Sequence, residues 1–218
     1  MVRPVVVVVG AGPGVGGALA RRFVDEGYDV GLVGRNRPAL DALVADLEPR
    51  GATVRSVAVD LTDTAAATGA VRQLGQAWGR IDVLHFNPSA YREKGPLDLT
   101  VPELLEDVAL GVGALLTAVQ AARPFLLSGG RISVTGSMAA DEPWHGAASL
   151  GVQKAGVRNL VHSLDAALAP DGIRAVSVTV RGTLAREGAF TPDRVADAIW
   201  RAVATAGDAW ASEVPYPG

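Results

Sequence analysis

The sequence contains no cysteine among its 218 residues, and this absence removes several kinds of chemistry at once. Without a thiol, the chain has no disulfide bond, no thiolate nucleophile and no cysteine-ligated metal site. Lysine is almost as scarce, because only Lys94 and Lys154 occur among the 20 basic residues. Where charge alone is needed, this chain uses arginine, so a position that keeps a lysine is a candidate for a specific role.

A strong excess of either charge is also missing, since the formal net charge is −3. Nothing in the composition therefore indicates a nucleic-acid partner or an anionic membrane surface. The apolar run in "MVRPVVVVVGAG" is about six residues long, too short for a signal-peptide core or a membrane span. We expect a cytoplasmic protein that binds a small molecule, with no membrane partner and no metal.

Strand-like and helix-like segments alternate along the whole chain. "PVVVVVG" is a β-branched run bounded by glycine, which is typical of a strand buried on both faces. Long helices are predicted over 101–127 and 147–169, and a last helix begins after Thr191 with Pro192 in its first turn. The pattern predicts a single Rossmann-like, doubly wound α/β domain over 1–218, with a parallel sheet of about seven strands and helices on both faces.

A glycine-rich turn follows the first strand and carries the clearest binding signal. It reads "GAGPGVGG" from Gly10 to Gly17 and leads into a helical pattern. Glycines allow the backbone to approach a pyrophosphate, and the helix start supplies free N–H groups and the positive end of the helix dipole. A turn at this place in an alternating α/β chain predicts a dinucleotide site rather than a merely flexible connection.

The residue after the second strand indicates which dinucleotide is bound. Binding of NAD would favour Asp or Glu there, to accept hydrogen bonds from the ribose 2′-hydroxyl. The sequence has instead Gly34 followed by Arg35, with Arg37 close by. A guanidinium pairs with a 2′-phosphate in a two-pronged geometry, so we expect NADP(H) in preference to NAD(H).

These motifs resemble the short-chain dehydrogenase/reductase family over nearly the whole chain. Gly10, Gly14 and Gly16 match the family's T-G-x-x-x-G-x-G pattern, although Val9 replaces the threonine. "VAVDLTD" resembles the segment that lies near the adenine, and "IDVLHFNPSA" resembles I-D-V-L-V-N-N-A-G. The resemblance implies a cofactor site formed by Gly10, Gly12, Gly14, Val15, Gly16, Arg35, Asp60, Leu61, Asn87 and Lys154.

The same resemblance implies a catalytic serine, tyrosine and lysine, of which one is absent. Ser137 stands at the serine position and Lys154 at the lysine position of the Y-x-x-x-K motif, but Leu150 occupies the tyrosine position. Leu150 and Lys154 lie one turn apart on the same helix face, so a tyrosine there would have been near the ammonium. The family's additional asparagine corresponds to Gly111, which leaves two of the usual four residues.

Two other residues are candidates for a replacement acid. His145 lies in the loop "DEPWHGAAS", and imidazole titrates in the range that general acid catalysis needs. Tyr91 follows the fourth strand, at the sheet edge where such folds bind ligands. The simpler alternative for each is an ordinary surface residue.

Three functions are compatible with these observations. The first is an NADP(H)-dependent oxidoreductase acting on a carbonyl or alcohol of a small molecule, with a non-standard active site. The second is a catalytically silent cofactor-binding or regulatory protein, and the third is an isomerase or lyase that uses the same pocket.

By analogy with the family, we expect a homodimer or homotetramer formed through the helices near 101–127 and 147–169. Only about nine residues separate the sixth strand from the last helix, so the usual helical lid is expected to be missing or reduced.

Overall fold

The computed structural model describes residues 3–218, and its seven β-strands join into one parallel sheet. Met1 and Val2, which open the predicted domain, lie outside the described residues. The strand order is β3-β2-β1-β4-β5-β6-β7, and every neighbouring pair is parallel. The strands are β1 (Val5–Val9), β2 (Asp29–Gly34), β3 (Val54–Ala58), β4 (Ile81–Phe86), β5 (Leu126–Ser137), β6 (Arg174–Val180) and β7 (Glu213–Tyr216).

Within residues 3–218, seven α-helices cover the two faces of this sheet, which confirms the predicted doubly wound α/β architecture. They are α1 (Val15–Asp25), α2 (Arg37–Leu47), α3 (Thr64–Trp78), α4 (Val101–Val108), α5 (Ala114–Ala122), α6 (Ala148–Leu168) and α7 (Pro192–Ala204). Thr191 caps α7 by accepting a hydrogen bond from the N–H of Arg194, and Pro192 stands in its first turn, as predicted.

Strand β1 shows how the sequence builds a core on both faces. All five of its valines are buried. Because successive side chains point to opposite faces, Val5, Val7 and Val9 join one hydrophobic cluster, while Val6 and Val8 join the other. The first cluster includes side chains of α3, α5 and α6, and the second includes side chains of α1, α2 and α7.

The predicted helix over 101–127 is interrupted and ends earlier than expected. Helices α4 and α5 are joined by a π-helical turn at Ala109–Gly113, and strand β5 already begins at Leu126. The helical run Val101–Phe125 is long and apolar enough to cross a membrane by length and composition alone. About 39% of its most apolar window is buried within the protein, and core helices of soluble proteins meet the same criteria.

The strand order places a crevice at the carboxyl edge of the sheet. Strand β1 pairs with β2 on one side and with β4 on the other. The strand order therefore runs in one direction from β1 to β3 and in the opposite direction from β4 to β7. Ligands of open α/β sheets bind where the strand order reverses in this way. The loops after β1, β4, β5 and β6 therefore determine the candidate site. The segment 181–191 after β6 contains no helix, as the short spacing predicted.

Candidate functional site

The glycine loop after β1 has the backbone geometry of an anion site. Gly10 has a φ of +86°, a conformation that favours glycine, and a Cβ there would lie 2.7 Å from the ring of Pro88. A Cβ on Gly16 would lie 2.7 Å from the carbonyl oxygen of Gly10. In contrast, a Cβ on Gly12 or Gly14 would meet only open space. The loop is therefore closely packed against the protein at Gly10 and Gly16, and it has open space beside Gly12 and Gly14.

Helix α1 begins directly after this loop and is not capped by a side chain. Its N-cap residue is Gly14, which has no polar side chain to accept the first N–H groups. No acidic residue stands in its first turn. These N–H groups and the positive end of the helix dipole are therefore available to an anion such as a pyrophosphate.

Asn87 connects the glycine loop to strand β5. Its backbone N–H donates to the carbonyl of Val9 at 2.9 Å, and its side-chain Nδ2 donates to the carbonyl of Gly10 at 3.3 Å. Its Oδ1 accepts a hydrogen bond of 2.8 Å from the hydroxyl of Thr135. The side chain of Asn87 therefore fixes the position of the loop relative to the middle of the sheet.

A cavity of about 240 Å³ opens on one side of the glycine loop, at the ends of β2 and β3. Arg35 follows β2 and is exposed at its rim, while Leu61 is buried in its wall. Hydrogen bonds from the backbone N–H and hydroxyl of Thr62 lower the pKa of Asp60, and the nearby Arg35 charge acts in the same direction. The lining residues are Gly10, Ala11, Gly34, Arg35, Asp60, Leu61, Thr62, Pro88 and Leu110.

A second cavity, of about 440 Å³, opens on the other side of the glycine loop. It brings together the ends of β4, β5 and β6 with the first turns of α1 and α6. Its lining includes Ser137, Leu150 and Lys154, three residues that the family resemblance singled out. The full set is Gly14, Val15, Asn87, Pro88, Ser89, Thr135, Gly136, Ser137, Leu150, Lys154, Val180, Gly182 and Leu184.

Lys154 is buried at the base of this larger cavity. Only 5% of the residue is exposed. The Nζ donates a hydrogen bond of 2.8 Å to the backbone carbonyl of Thr135. Burial lowers the pKa of Lys154 to about 8 from an ordinary value of 10.5, because removal from water penalises the charged form.

The residues next to Lys154 supply one hydroxyl and one apolar wall. Ser137 is the last residue of β5, and its Oγ accepts a hydrogen bond of 3.2 Å from the N–H of Ala139. The hydroxyl proton remains available to a substrate oxygen. Leu150, one helical turn before Lys154, is half-buried and lines the cavity with a group that cannot exchange a proton.

The two candidates for a replacement acid do not reach this cavity. Tyr91 is 63% exposed, and His145 is an exposed residue in the loop before α6. Neither side chain lines either cavity beside the glycine loop. The prediction that they rim the site is corrected by the loop conformations, which direct both side chains to solvent.

Gln153 is a buried polar residue near the site that the sequence did not point to. Gln153 is fully buried, and its side chain forms two hydrogen bonds with the backbone of Ala90, at 2.8 and 3.2 Å. A Cβ on Gly111 would lie 2.3 Å from its Oε1, so Gln153 occupies the space beside the position that the resemblance assigns to an asparagine. The only sequence signal was a polar residue on the buried face of α6.

The fully buried His85 is a second feature that sequence reasoning missed. Its Nδ1 lies 2.9 Å from the hydroxyl of Ser133, and its Nε2 lies 3.2 Å from the hydroxyl of Thr135. Burial, with a smaller contribution from the Lys154 charge, lowers the pKa of His85 to about 3. A histidine within the otherwise apolar strand "IDVLHF" was the available signal.

The chain's own geometry fits a nicotinamide dinucleotide along the crevice. The bare outer side of Gly12 and Gly14 leaves space that any larger side chain would fill. Cavities flank this loop on both sides, one bordered by Arg35 and the other by Lys154. An elongated ligand with a central pyrophosphate and two ring systems matches this arrangement.

Comparison with known proteins agrees with this geometry. A sequence profile described as short chain dehydrogenase matches residues 4–187. Sulfoacetaldehyde reductase 2 of Chromohalobacter salexigens is 28% identical over 206 residues, covering 90% of this chain and 81% of that protein. Meso-2,3-butanediol dehydrogenase of Serratia marcescens is 31% identical over 175 residues, covering 80% and 69%. A short chain dehydrogenase from Burkholderia cenocepacia, solved in complex with NADP, superimposes with a TM-score of 0.91 at 26% identity and covers 100% of this chain and 98% of its own.

Proposed function

The chain belongs to the short-chain dehydrogenase family, and from this premise we propose that it is an oxidoreductase dependent on a nicotinamide dinucleotide. Its substrate is a small molecule with a carbonyl group or the corresponding alcohol. One observation carries the proposal: a cavity of about 440 Å³ joins the glycine loop to Ser137 and Lys154. A binding module without chemistry would not require a hydroxyl and a buried cation in the same cavity.

We propose that NADP(H) is preferred to NAD(H). Arg35 stands at the mouth of the smaller cavity, immediately after β2. Its guanidinium can pair with a 2′-phosphate, and no carboxylate follows β2 to bind a 2′-hydroxyl instead. The Burkholderia relative in complex with NADP is in agreement with this preference.

Each part of the site has a separate task in the proposed reaction. When bound, the cofactor supplies or accepts a hydride at the substrate carbon. The N–H groups that begin α1 bind the pyrophosphate, and Asn87 holds the loop in place. The Ser137 hydroxyl orients the substrate oxygen, and the Lys154 ammonium provides positive charge where negative charge develops on that oxygen.

The substitution of Leu150 for the family's tyrosine makes the active site non-standard. Leu150 lines the cavity one turn from Lys154 and has no titratable group. Loss of a general acid costs typically 10²–10⁴-fold in rate, which leaves a slow enzyme rather than an inert one. This same observation favours the second candidate function, a cofactor-binding or regulatory protein that retains the fold without turnover.

The proposal also includes assembly into a homodimer or homotetramer. Leu105, Leu116 and Val152 are large apolar side chains exposed on α4, α5 and α6. A second copy could cover them, because α5 and α6 pack on the same face of the sheet and α4 packs against α6. Light scattering coupled to gel filtration measures this directly, and a monomer at micromolar concentration would contradict it.

Cofactor binding is tested by titrating the protein with NADPH while following nicotinamide fluorescence. Gly14→Asp provides a sharp variant, because the new carboxylate would cap α1 and occupy the place of the pyrophosphate. We expect unchanged or higher thermal stability together with a loss of NADPH binding of about 100-fold or more. Gly69→Asp, at an exposed position of α3, is the matched control and should bind normally.

Turnover is tested by offering a panel of aldehydes and ketones with NADPH and recording nicotinamide absorbance. Saturable binding with measurable reduction supports the oxidoreductase. Saturable binding without reduction of any carbonyl would favour the regulatory protein. Absence of saturable binding would contradict both.

A further inference from the structure

The larger cavity contains a single side chain that can gain or lose a proton near neutral pH. Among the described residues that line it, the others are glycines, apolar residues, hydroxyl residues and one asparagine amide. Ser137, Ser89 and Thr135 have hydroxyls that do not ionise in this range. Lys154 is therefore the one ionisable group in the lining.

The hydrogen bonds of Lys154 leave most of its ammonium group free. In the part of the chain that the structure describes, Nζ has one partner, the carbonyl of Thr135 at 2.8 Å. An ammonium carries three N–H donors, so two remain for groups inside the cavity. The bond holds the nitrogen at Thr135, two residues before Ser137 on β5, and all three residues line the cavity.

The elements packed against α6 place no carboxylate beside Lys154. His85 on β4 is the titratable group coupled to it, and burial keeps that imidazole neutral with a pKa of about 3. His145 before α6 is exposed. The charged side chains on these elements have other partners. Asp107 and Glu106 pair with Arg92, and Glu103 pairs with Lys94 and Arg92. Asp165 pairs with Arg174, Asp141 with Arg158 and Arg181, Glu213 with Arg158, and Asp171 with Arg123, while Arg131 lies over the ring of Trp210.

We propose that Lys154 is itself the proton donor for carbonyl reduction, and the proton acceptor for alcohol oxidation, in place of the missing tyrosine. This inference rests on the proposed oxidoreductase function and assigns its acid. The substrate carbonyl carbon gains a hydride, with its two electrons, from the reduced nicotinamide. The carbonyl oxygen takes one proton from the Lys154 ammonium, which becomes a neutral amine.

The geometry of the cavity also explains how the lysine recovers its proton. The segment 181–191 borders the cavity and contains no helix that could act as a lid. The cavity is open to solvent, which can return a proton to the amine. Burial brings the pKa of Lys154 to about 8, so ammonium and amine are both accessible near neutral pH. An acid is most effective when its pKa lies near the working pH.

The first test measures the protonation of Lys154 directly and needs no turnover. The chain has two lysines, so carbon-13 labelling of the lysine Cε positions gives two NMR resonances. We expect one resonance to titrate near pH 8 in the native protein, and the variant Lys94→Arg to retain it. Absence of any lysine resonance that titrates near pH 8 would overturn the proposal.

The second test separates charge from proton transfer. Lys154→Arg keeps the positive charge and hydrogen-bond donors, but a guanidinium releases no proton in this pH range. We expect NADPH to bind within about tenfold of the unaltered protein while kcat for reduction falls by 10²–10⁴-fold. In the unaltered protein, kcat for reduction should decrease as pH rises through the lysine pKa, because the donating ammonium is lost.

The outcomes distinguish this proposal from the function on which it rests. If the unaltered protein does not bind NADPH, or binds it without reducing any carbonyl, both the oxidoreductase function and the role of Lys154 are overturned. Reduction that survives in Lys154→Arg, with the same pH profile and a kcat within about tenfold, would overturn the role of Lys154 alone. Lys94→Arg serves as the control and should change neither kcat nor the profile.

Discussion

The Nε2 of His85 lies 3.2 Å from the hydroxyl oxygen of Thr135, deep in the sheet and beside the base of the larger cavity. Thr135 donates its own hydroxyl proton to Asn87 Oδ1 at 2.8 Å, so this oxygen is an acceptor toward the imidazole. His85 accordingly carries its proton on Nε2, and Nδ1 accepts from Ser133. The resulting chain of hydrogen bonds runs from the sheet interior to the glycine loop, through Asn87 and the carbonyl of Gly10.

This buried imidazole should make the protein less stable in acid. Its folded pKa of about 3 is below the ordinary 6.5, so the unfolded chain binds a proton that the folded one does not. Stability from this group is present above 6.5 and is lost as pH falls toward 3, by about 1.4 kcal/mol per pH unit. Urea unfolding at pH values from about 7 to about 5 measures this slope, and His85 should account for a loss of about 2 kcal/mol in the free energy of unfolding over that range. His85→Gln should reduce the slope, whereas His145→Gln, which removes an exposed imidazole, should retain it.

Replacement of Lys154 by methionine should stabilise the fold. The folded pKa of about 8 lies below the ordinary 10.5, so the ammonium is buried at a cost when the pH is below 8. This cost is on the order of 3 kcal/mol, and loss of the hydrogen bond to Thr135 offsets about 1 kcal/mol. We expect Lys154→Met to unfold at higher urea at pH 7, with the advantage shrinking as pH rises from 8 toward 10.5.

The matched control for this stability prediction is Lys94→Met. Lys94 is partly exposed and ion-paired with Glu103, so its replacement should change the urea midpoint only slightly. A Lys154→Met variant that is less stable than the unaltered protein at pH 7 would contradict the buried-charge interpretation.

Introduction of a tyrosine at position 150 should increase the rate of carbonyl reduction. Leu150→Tyr places a phenol one turn from the Lys154 cation, which lowers the phenol's pKa. Because Lys154 already donates a proton in our proposal, the gain should be about tenfold, below the full 10²–10⁴ of general acid catalysis. Leu150→Phe has nearly the same volume without the hydroxyl, and equal kcat values for the two variants would refute the prediction.

Cofactor preference should follow Arg35. Arg35→Asp removes the guanidinium and supplies an acceptor for a ribose hydroxyl, so NADPH binding should weaken by about 10–100-fold while NADH binding improves. Arg37→Asp is the control, because Arg37 contacts Ser56 and Asp41 and does not line the cavity. Dissociation constants for both cofactors, measured by fluorescence, test the prediction. Unchanged selectivity in Arg35→Asp would show that the guanidinium does not read the phosphate.

Local patterns in the sequence determined the elements and one half of the site. The valine run of β1, the glycines after it and the cap at Thr191 specify their structures through short-range sterics and hydrogen bonds. Helical spacing alone also placed Leu150 and Lys154 on one face of α6. The family resemblance then assigned roles to positions along that frame.

Only the tertiary structure decided which distant residues meet and which ionise. His85, Ser133 and Thr135 come together because β4 pairs with β5 in a particular register, across about fifty residues of chain. Local periodicity does not encode that register, and it does not show that His145 and Tyr91 turn to solvent. Burial of Lys154 likewise depends on the packing of α6 against β5, where the carbonyl of Thr135 accepts its hydrogen bond. A pKa depends on removal from water in three dimensions, so it follows from packing rather than from the order of residues.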